Sequence, residues 1–187
     1  MLHRFFLTLV AFVASLLPAL AAAAPFAYIT NSASGTVSVI DTATNTGVGL
    51  PINVGAFPYG VAVNSAGTRV YVANQNSNDV SVIDAGTNMV VATVGVTGNP
   101  VGVAVNPAGT RVYVTKQTLD TVAVIDTSTN TVVGLPINVG LAPIGVAVNP
   151  AGTRVYVANY LGSTVSVIDT LSASSSSSID ISSTSSS

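Results

Sequence analysis

One pattern returns four times along the chain and leaves room for little else. A Tyr recurs at Tyr28, Tyr71, Tyr113 and Tyr156, and an Asp that closes a Val-Ile-Asp run recurs at Asp41, Asp84, Asp126 and Asp169. Both series step by 43, 42 and 43 residues. Within each step, short apolar runs such as Gly102-Val-Ala-Val-Asn106, Arg111-Val-Tyr-Val-Thr115 and Thr121-Val-Ala-Val-Ile-Asp126 stand between clusters of turn residues. Runs of this kind read as strands. A period of roughly 40–45 residues built from four of them is the sequence mark of a propeller blade. The expected fold is all-β, a β-propeller of about three and a half four-stranded blades, half of a seven-bladed ring. The first unit lacks an opening strand and the last a closing one.

Alternation inside the strands assigns their faces. In Arg111-Val-Tyr-Val-Thr115, Val112 and Val114 point one way and Tyr113 and Thr115 the other. Both sets are largely apolar or amphipathic, so each sheet is expected to be covered on both sides. Two turns recur almost unchanged. Asn106-Pro-Ala-Gly109 and its relatives join strands one and two, with Gly in a left-handed position. Asp126-Thr-Ser-Thr-Asn130 and its relatives join strands three and four, with Asp as cap and Asn45, Asn88 and Asn130 left-handed. Arg69, Arg111 and Arg154 open strands just past a turn and can pair with a nearby Asp. Pro51 marks the strand over residues 46–54 as an edge strand.

The other two loop classes do not repeat. They read Asn74-Gln-Asn-Ser-Asn78 against Lys116-Gln-Thr-Leu-Asp120, and Gly55-Ala-Phe-Pro-Tyr59 against Gly140-Leu-Ala-Pro-Ile144. In an up-and-down blade both classes share one end of the disc. Function tends to sit in variable loops carried by a rigid scaffold. The candidate binding residues at this end are Phe57, Tyr59, Lys116, Asp120 and Tyr160.

Composition narrows the chemistry. The chain has no Cys and no Glu, and its one His is His3. Residues 1–23 have a positive n-region at Arg4, an apolar run over residues 5–17 and an Ala-Leu-Ala stretch, and read as a secretory signal peptide. A mature chain without His, Cys or Glu lacks the usual general bases, nucleophile activators and transition-metal ligands. A non-enzymatic protein with no cofactor and no metal is expected. A formal net charge of −2 argues against nucleic acid as partner. Export places the protein in the periplasm, outside the cell or on its surface, with no membrane span after cleavage.

The repeated segments Tyr28-Ile-Thr-Asn31, Tyr71-Val-Ala-Asn74, Tyr113-Val-Thr-Lys116 and Tyr156-Val-Ala-Asn159, each followed by its Val-Ile-Asp run, resemble the YVTN-type β-propeller repeat family. The resemblance covers residues 26–170; Lys116 departs from its Asn. It implies an exported protein of bacterial periplasms or archaeal surface layers. Fold relatives include lactonases and haem domains of nitrite reductases, whose activities would call for His or Glu. A lactonase-like hydrolase using Asp79 or Asp120 with a divalent cation is the enzyme alternative.

Residues 25–170 are thus the propeller repeats, and residues 171–187 a Ser-rich low-complexity tail or spacer. Within that tail, Ile179 and Ile181 offer a poor closing strand as an alternative. An arc of blades exposes two apolar faces and two strand edges. Three closures are expected: a homodimer, other propeller chains, or the rest of a longer propeller of which this chain is a fragment.

Overall fold

The computed structural model describes residues 26–170 and the backbone of 176–180. The expected signal peptide and the rest of the Ser-rich tail, including Ile181, lie outside the described residues. All described elements are strands. The first sheet holds β1 (Phe26–Asn31), β2 (Thr36–Asp41) and the short β3 (Thr46–Gly47) and β4 (Ile52–Asn53). The second is β5 (Pro58–Val63), β6 (Arg69–Asn74), β7 (Asp79–Asp84) and β8 (Met89–Gly95). The third is β9 (Pro100–Val105), β10 (Arg111–Lys116), β11 (Thr121–Asp126) and β12 (Thr131–Asn138). The fourth is β13 (Pro143–Val148), β14 (Arg154–Asn159), β15 (Thr164–Asp169) and β16 (Ser176–Asp180). Every pairing is antiparallel, and all but that of β4 with β2 join neighbours in chain order, the meander of a propeller blade.

Among the described residues the first sheet has no inner strand, as its missing Gly-Val-Ala-Val run predicts. β3 and β4 together fill its outer position, since both pair with β2. The fourth sheet is closed after all. Ser176–Asp180 pairs along β15, with Ile179 opposite Val165. A run of Ser hides this strand from hydropathy, because backbone pairing needs no apolar side chain on a sheet edge.

The step of 42 residues has a local cause. The first and third units carry Gly-Leu-Pro in the outer strand, at Gly49-Leu-Pro51 and Gly134-Leu-Pro136, and the second does not. Gly49 and Gly134 take positive φ of 64° and 71°. The extra residue breaks β3 from β4 and bulges β12 away from Val122–Val124.

Three cores lie between the sheets, and all three have the same polarity. Tyr28, Val37 and Val39 of sheet 1 meet Val70, Val72 and Ile83 of sheet 2. Tyr71, Val80 and Val82 of sheet 2 meet Val112, Val114 and Ile125 of sheet 3. Tyr113 and Val122 of sheet 3 meet Val155, Val157 and Ile168 of sheet 4. Each sheet therefore has a Tyr face, packed on the Val-Val-Ile face of the next, as the alternation anticipates. The inner strands β5, β9 and β13 run side by side. Gly60 and Gly102 permit this: a methyl on either would overlap the backbone carbonyl of Val101 or Ile144 on the next inner strand.

The repeated turns are built as expected. Asn45, Asn88 and Asn130 have φ of 53–56°, and Gly67, Gly109 and Gly152 of 67–71°. Asp84 Oδ1 accepts the backbone N–H groups of Gly86 and Thr87, each at 3.0 Å, and Arg69 reaches its Oδ2 at 2.5 Å. Asp126 accepts from the hydroxyl and backbone N–H of Ser128 and pairs with Arg111 at 2.5 Å. The Thr87 N–H group above all holds the Asp84 carboxyl below the ordinary range, and the Ser128 hydroxyl does so for Asp126. Both folded-state pKa values are depressed. The stability they confer is therefore complete above the unfolded carboxylate range, near about pH 4. It is lost as pH falls through the lowered folded-state values. Urea melts at stepped pH should show the midpoint dropping below that range. The drop should be smaller in Asp84→Asn/Asp126→Asn, and an unchanged slope would show that these caps carry no titrating stability.

Candidate functional site

The variable loops form one end of the stacked sheets, and left-handed backbone recurs in them. The residue before each crossover proline is left-handed: Phe57 at φ 56°, Asn99 at 52° and Ala142 at 49°. Its carbonyl accepts a loop N–H in every unit, from Gln75, Gln117 and Tyr160 respectively. Asn tolerates this conformation, whereas an aromatic side chain is an outlier there. The Phe57 side chain is nevertheless 42% exposed.

Phe57 lies at the edge of an open depression of about 650 Å³ formed by the loop over residues 32–35 and the crossover over residues 53–57. Ser32, Ser34, Asn53 and Asn76 supply its hydroxyl and amide groups, and no charged side chain lines it. Ser32 donates to the Pro58 carbonyl at 2.7 Å, and Ser34 to that of Asn31 at 3.3 Å. The Ser77 hydroxyl accepts the Ala56 N–H group. The Ser32 bond ties this loop to the crossover, and the Ser77 bond ties the crossover to the loop after β6.

The remaining candidates are dispersed. Tyr59 is exposed on β5, and its carbonyl accepts the Thr30 hydroxyl at 2.8 Å. The equivalent Val101 and, in part, Ile144 are covered, beside the inner strand of the preceding sheet. Among the described residues sheet 1 has no such strand, and Tyr59 is open. Tyr160 is exposed on the loop after β14, near two further exposed apolar residues, Leu141 and Leu161. Its N–H donates to Ala142. Leu141 and the exposed Leu119 were not singled out by sequence reasoning, although both sit in non-repeating loop positions.

Lys116 is packed into the scaffold, and Asp120 is bonded to it. Lys116 is buried, 7% exposed, and its stem passes under Gly98 and Leu119. At its position the other units use Asn to tie strand two to strand three. Asn74 donates to Asp79 at 2.6 Å and Ser81 at 2.8 Å; Asn159 donates to Thr164 and Ser166, each at 2.9 Å. A methyl on Gly55 would come within 2.7 Å of Asn74. In the third unit the corresponding residues change together: Thr97 replaces Gly, Lys116 replaces Asn and Ala123 replaces Ser. The Thr121 hydroxyl is then buried without a partner. Lys116 therefore belongs to an exchange in packing and is not presented to solvent. Asp120, at φ 53°, accepts the Ala142 N–H at 2.8 Å and holds the crossover, as Asn78 does with Gly98 and Asn99. Asp79 and Asp120, the residues of the hydrolase alternative, thus each have an oxygen engaged by the scaffold. Among the described residues no three of His, Cys, Asp or Glu gather as metal ligands.

No protein-family profile matches the chain, and no curated protein matches it. Solved structures do. Hydrazine synthase of Kuenenia stuttgartiensis superposes with a TM-score of 0.75 at 25% identity, over 83% of this chain and 46% of that one. A functionally unknown protein of Desulfotomaculum acetoxidans DSM 771 gives 0.72 at 18% identity, over 86% and 55%. Virginiamycin B lyase of Staphylococcus aureus gives 0.70 at 13% identity, over 84% and 52%. The chain spans about half the length of the structures it matches. With its four antiparallel sheets stacked face to face, it is a β-propeller protein.

Proposed function

We propose that this is an exported, non-catalytic β-propeller of the YVTN type that binds a ligand through its variable-loop end, as a recognition or surface-structural module. The carrying observation is Phe57: an exposed aromatic on left-handed backbone, lining a depression on that end. At the same position Asn99 satisfies the backbone without strain. Strained residues of this kind concentrate at binding sites. The absence of His, Glu and Cys from residues 24–187 supports a role without catalysis. An aromatic face beside hydroxyl and amide groups, with no charge, suits an uncharged polar ligand of the carbohydrate type.

The test is an array of neutral oligosaccharides probed with the wild-type protein and Phe57→Asn. Asn accepts the left-handed backbone, so the variant should fold with stability unchanged or raised by up to about 1 kcal/mol. Binding should fall at least tenfold. Absence of any neutral-glycan ligand would remove the carbohydrate reading. Full binding by Phe57→Asn would remove the site.

A further inference from the structure

The two ends of the stack are complementary, and the interior shows what covers each. Sheet 4 presents a Tyr face with no sheet beyond it among the described residues: Tyr156 is 38% exposed, whereas Tyr28, Tyr71 and Tyr113 are buried at 6%, 1% and 6%. Ala158 beside it is exposed, and Val165 and Val167 are half-buried. Among the described residues no sheet precedes sheet 1, which presents there the face that is Val-Val-Ile in sheets 2 to 4. There Ala27, Ile29 and Ile40 take the positions of Val70, Val72 and Ile83. Ile29 is 51% exposed, whereas Val72 is fully buried. Gly145 repeats the picture on the inner strand. A methyl there would meet only Ala158, at 3.6 Å, whereas Gly60 and Gly102 are pressed against the next strand.

We infer that the Tyr156 face of sheet 4 docks the Ala27–Ile29–Ile40 face of sheet 1 in a second copy of this chain, and that two copies close head to tail into one ring. The occupant follows from the three internal cores, each of which joins a Tyr face to a Val-Val-Ile face in the same order. The fourth such junction has its two halves at opposite ends of one chain. A junction of unlike surfaces closes a ring when its rotation permits. The ring would have eight sheets, within the usual range of four to eight blades. Sheet 1 lacks its inner strand, so each seam leaves a notch at the axis, between Gly145 and the neighbouring copy's β1. The notch accounts for the exposed Tyr59 without involving the loop end where Phe57 sits.

The chain has no Cys, which makes the seam addressable. Light scattering on a sizing column should give a dimer, twice 18.7 kDa for the full chain. Ile29→Arg should halve that mass with the circular dichroism of the β-fold retained, since Ile29 is exposed within one copy. Facing sheets lie about 10 Å apart, so a short thiol-bridging reagent should span the seam. Ile29→Cys mixed with Tyr156→Cys should yield covalent dimers, and neither variant alone should. A monomeric or filamentous wild type would overturn the closure. Cross-linking of either variant with itself would overturn the head-to-tail arrangement. Glycan binding by monomeric Ile29→Arg separates failure of the seam from failure of the loop-end site.

Discussion

Gly102→Ala is expected to unfold the chain or cost about 3 kcal/mol, the upper end for overpacking by one methyl. The new Cβ would overlap the Ile144 carbonyl on β13 and crowd the Thr115 hydroxyl. That hydroxyl accepts the Gly102 N–H at 2.7 Å and donates to Ile144 at 3.0 Å. A backbone atom fixed by strand pairing cannot move aside as a side-chain tip can, so the clash spreads to the whole of sheet 4. Gly145→Ala, at the same place in the next repeat, meets only Ala158 and should be nearly neutral. Chemical denaturation of the pair gives the answer directly. Equal effects at the two positions would mean that the inner strands do not stack as described.

The second large effect is Ile125→Ala. Ile83, Ile125 and Ile168 are 0%, 0% and 1% exposed, and each fills the junction with the preceding sheet. Removing the buried side chain at Ile125 should cost about 2–5 kcal/mol, transfer and cavity together. Ile40 has the same repeat position but no preceding sheet and is only half-buried. Ile40→Ala should cost less than half as much in the isolated copy. Urea midpoints for the two variants under dilute, monomeric conditions measure the difference. A cost at Ile40 matching that at Ile125 would place a covering surface on sheet 1 within the single chain.

These two contrasts mark where the sequence was readable and where it was not. The alternation of Val112, Tyr113 and Val114 assigned both sheet faces, because side-chain direction in a strand follows from local geometry alone. The left-handed Asn88 and Gly109 were readable for the same reason, since each turn sets its own backbone. Gly102 and Gly145 look identical in sequence. Only the stacking of inner strands separates them, and that contact joins residues of different repeats. Ile179 and Ile181 are the only apolar signal for a closing strand, whereas the strand found is Ser176–Asp180, for which β15 supplies the pairing edge. Lys116 looked like a departure on a binding surface. Its burial is legible only together with Thr97 and Ala123, which lie in the crossover after β8 and in β11.

At the candidate site, the sequence located the variable end but not its geometry. Phe57 and Tyr59 stand two residues apart, yet one borders the loop depression and the other faces the gap beside β1. Chain order cannot show that, because the split depends on the inner strand that sheet 1 lacks. Asp120 departs from the Asn and Ser of its repeat position, but its oxygen performs the same task as that of Asn78. A change of residue type at a turn does not by itself change the turn's role.

The most direct test of the whole account is a binding titration in which the two ends of the sheets are compared. The probe is the neutral oligosaccharide selected by the array. The proteins are wild type, Phe57→Asn at the variable end and Ala108→Asp in the repeated Asn-Pro-Ala-Gly turn at the opposite end. Affinity should fall at least tenfold in Phe57→Asn and stay within twofold of wild type in Ala108→Asp. Loss of affinity in the turn variant, with Phe57→Asn unaffected, would contradict the placement of function on the non-repeating loops.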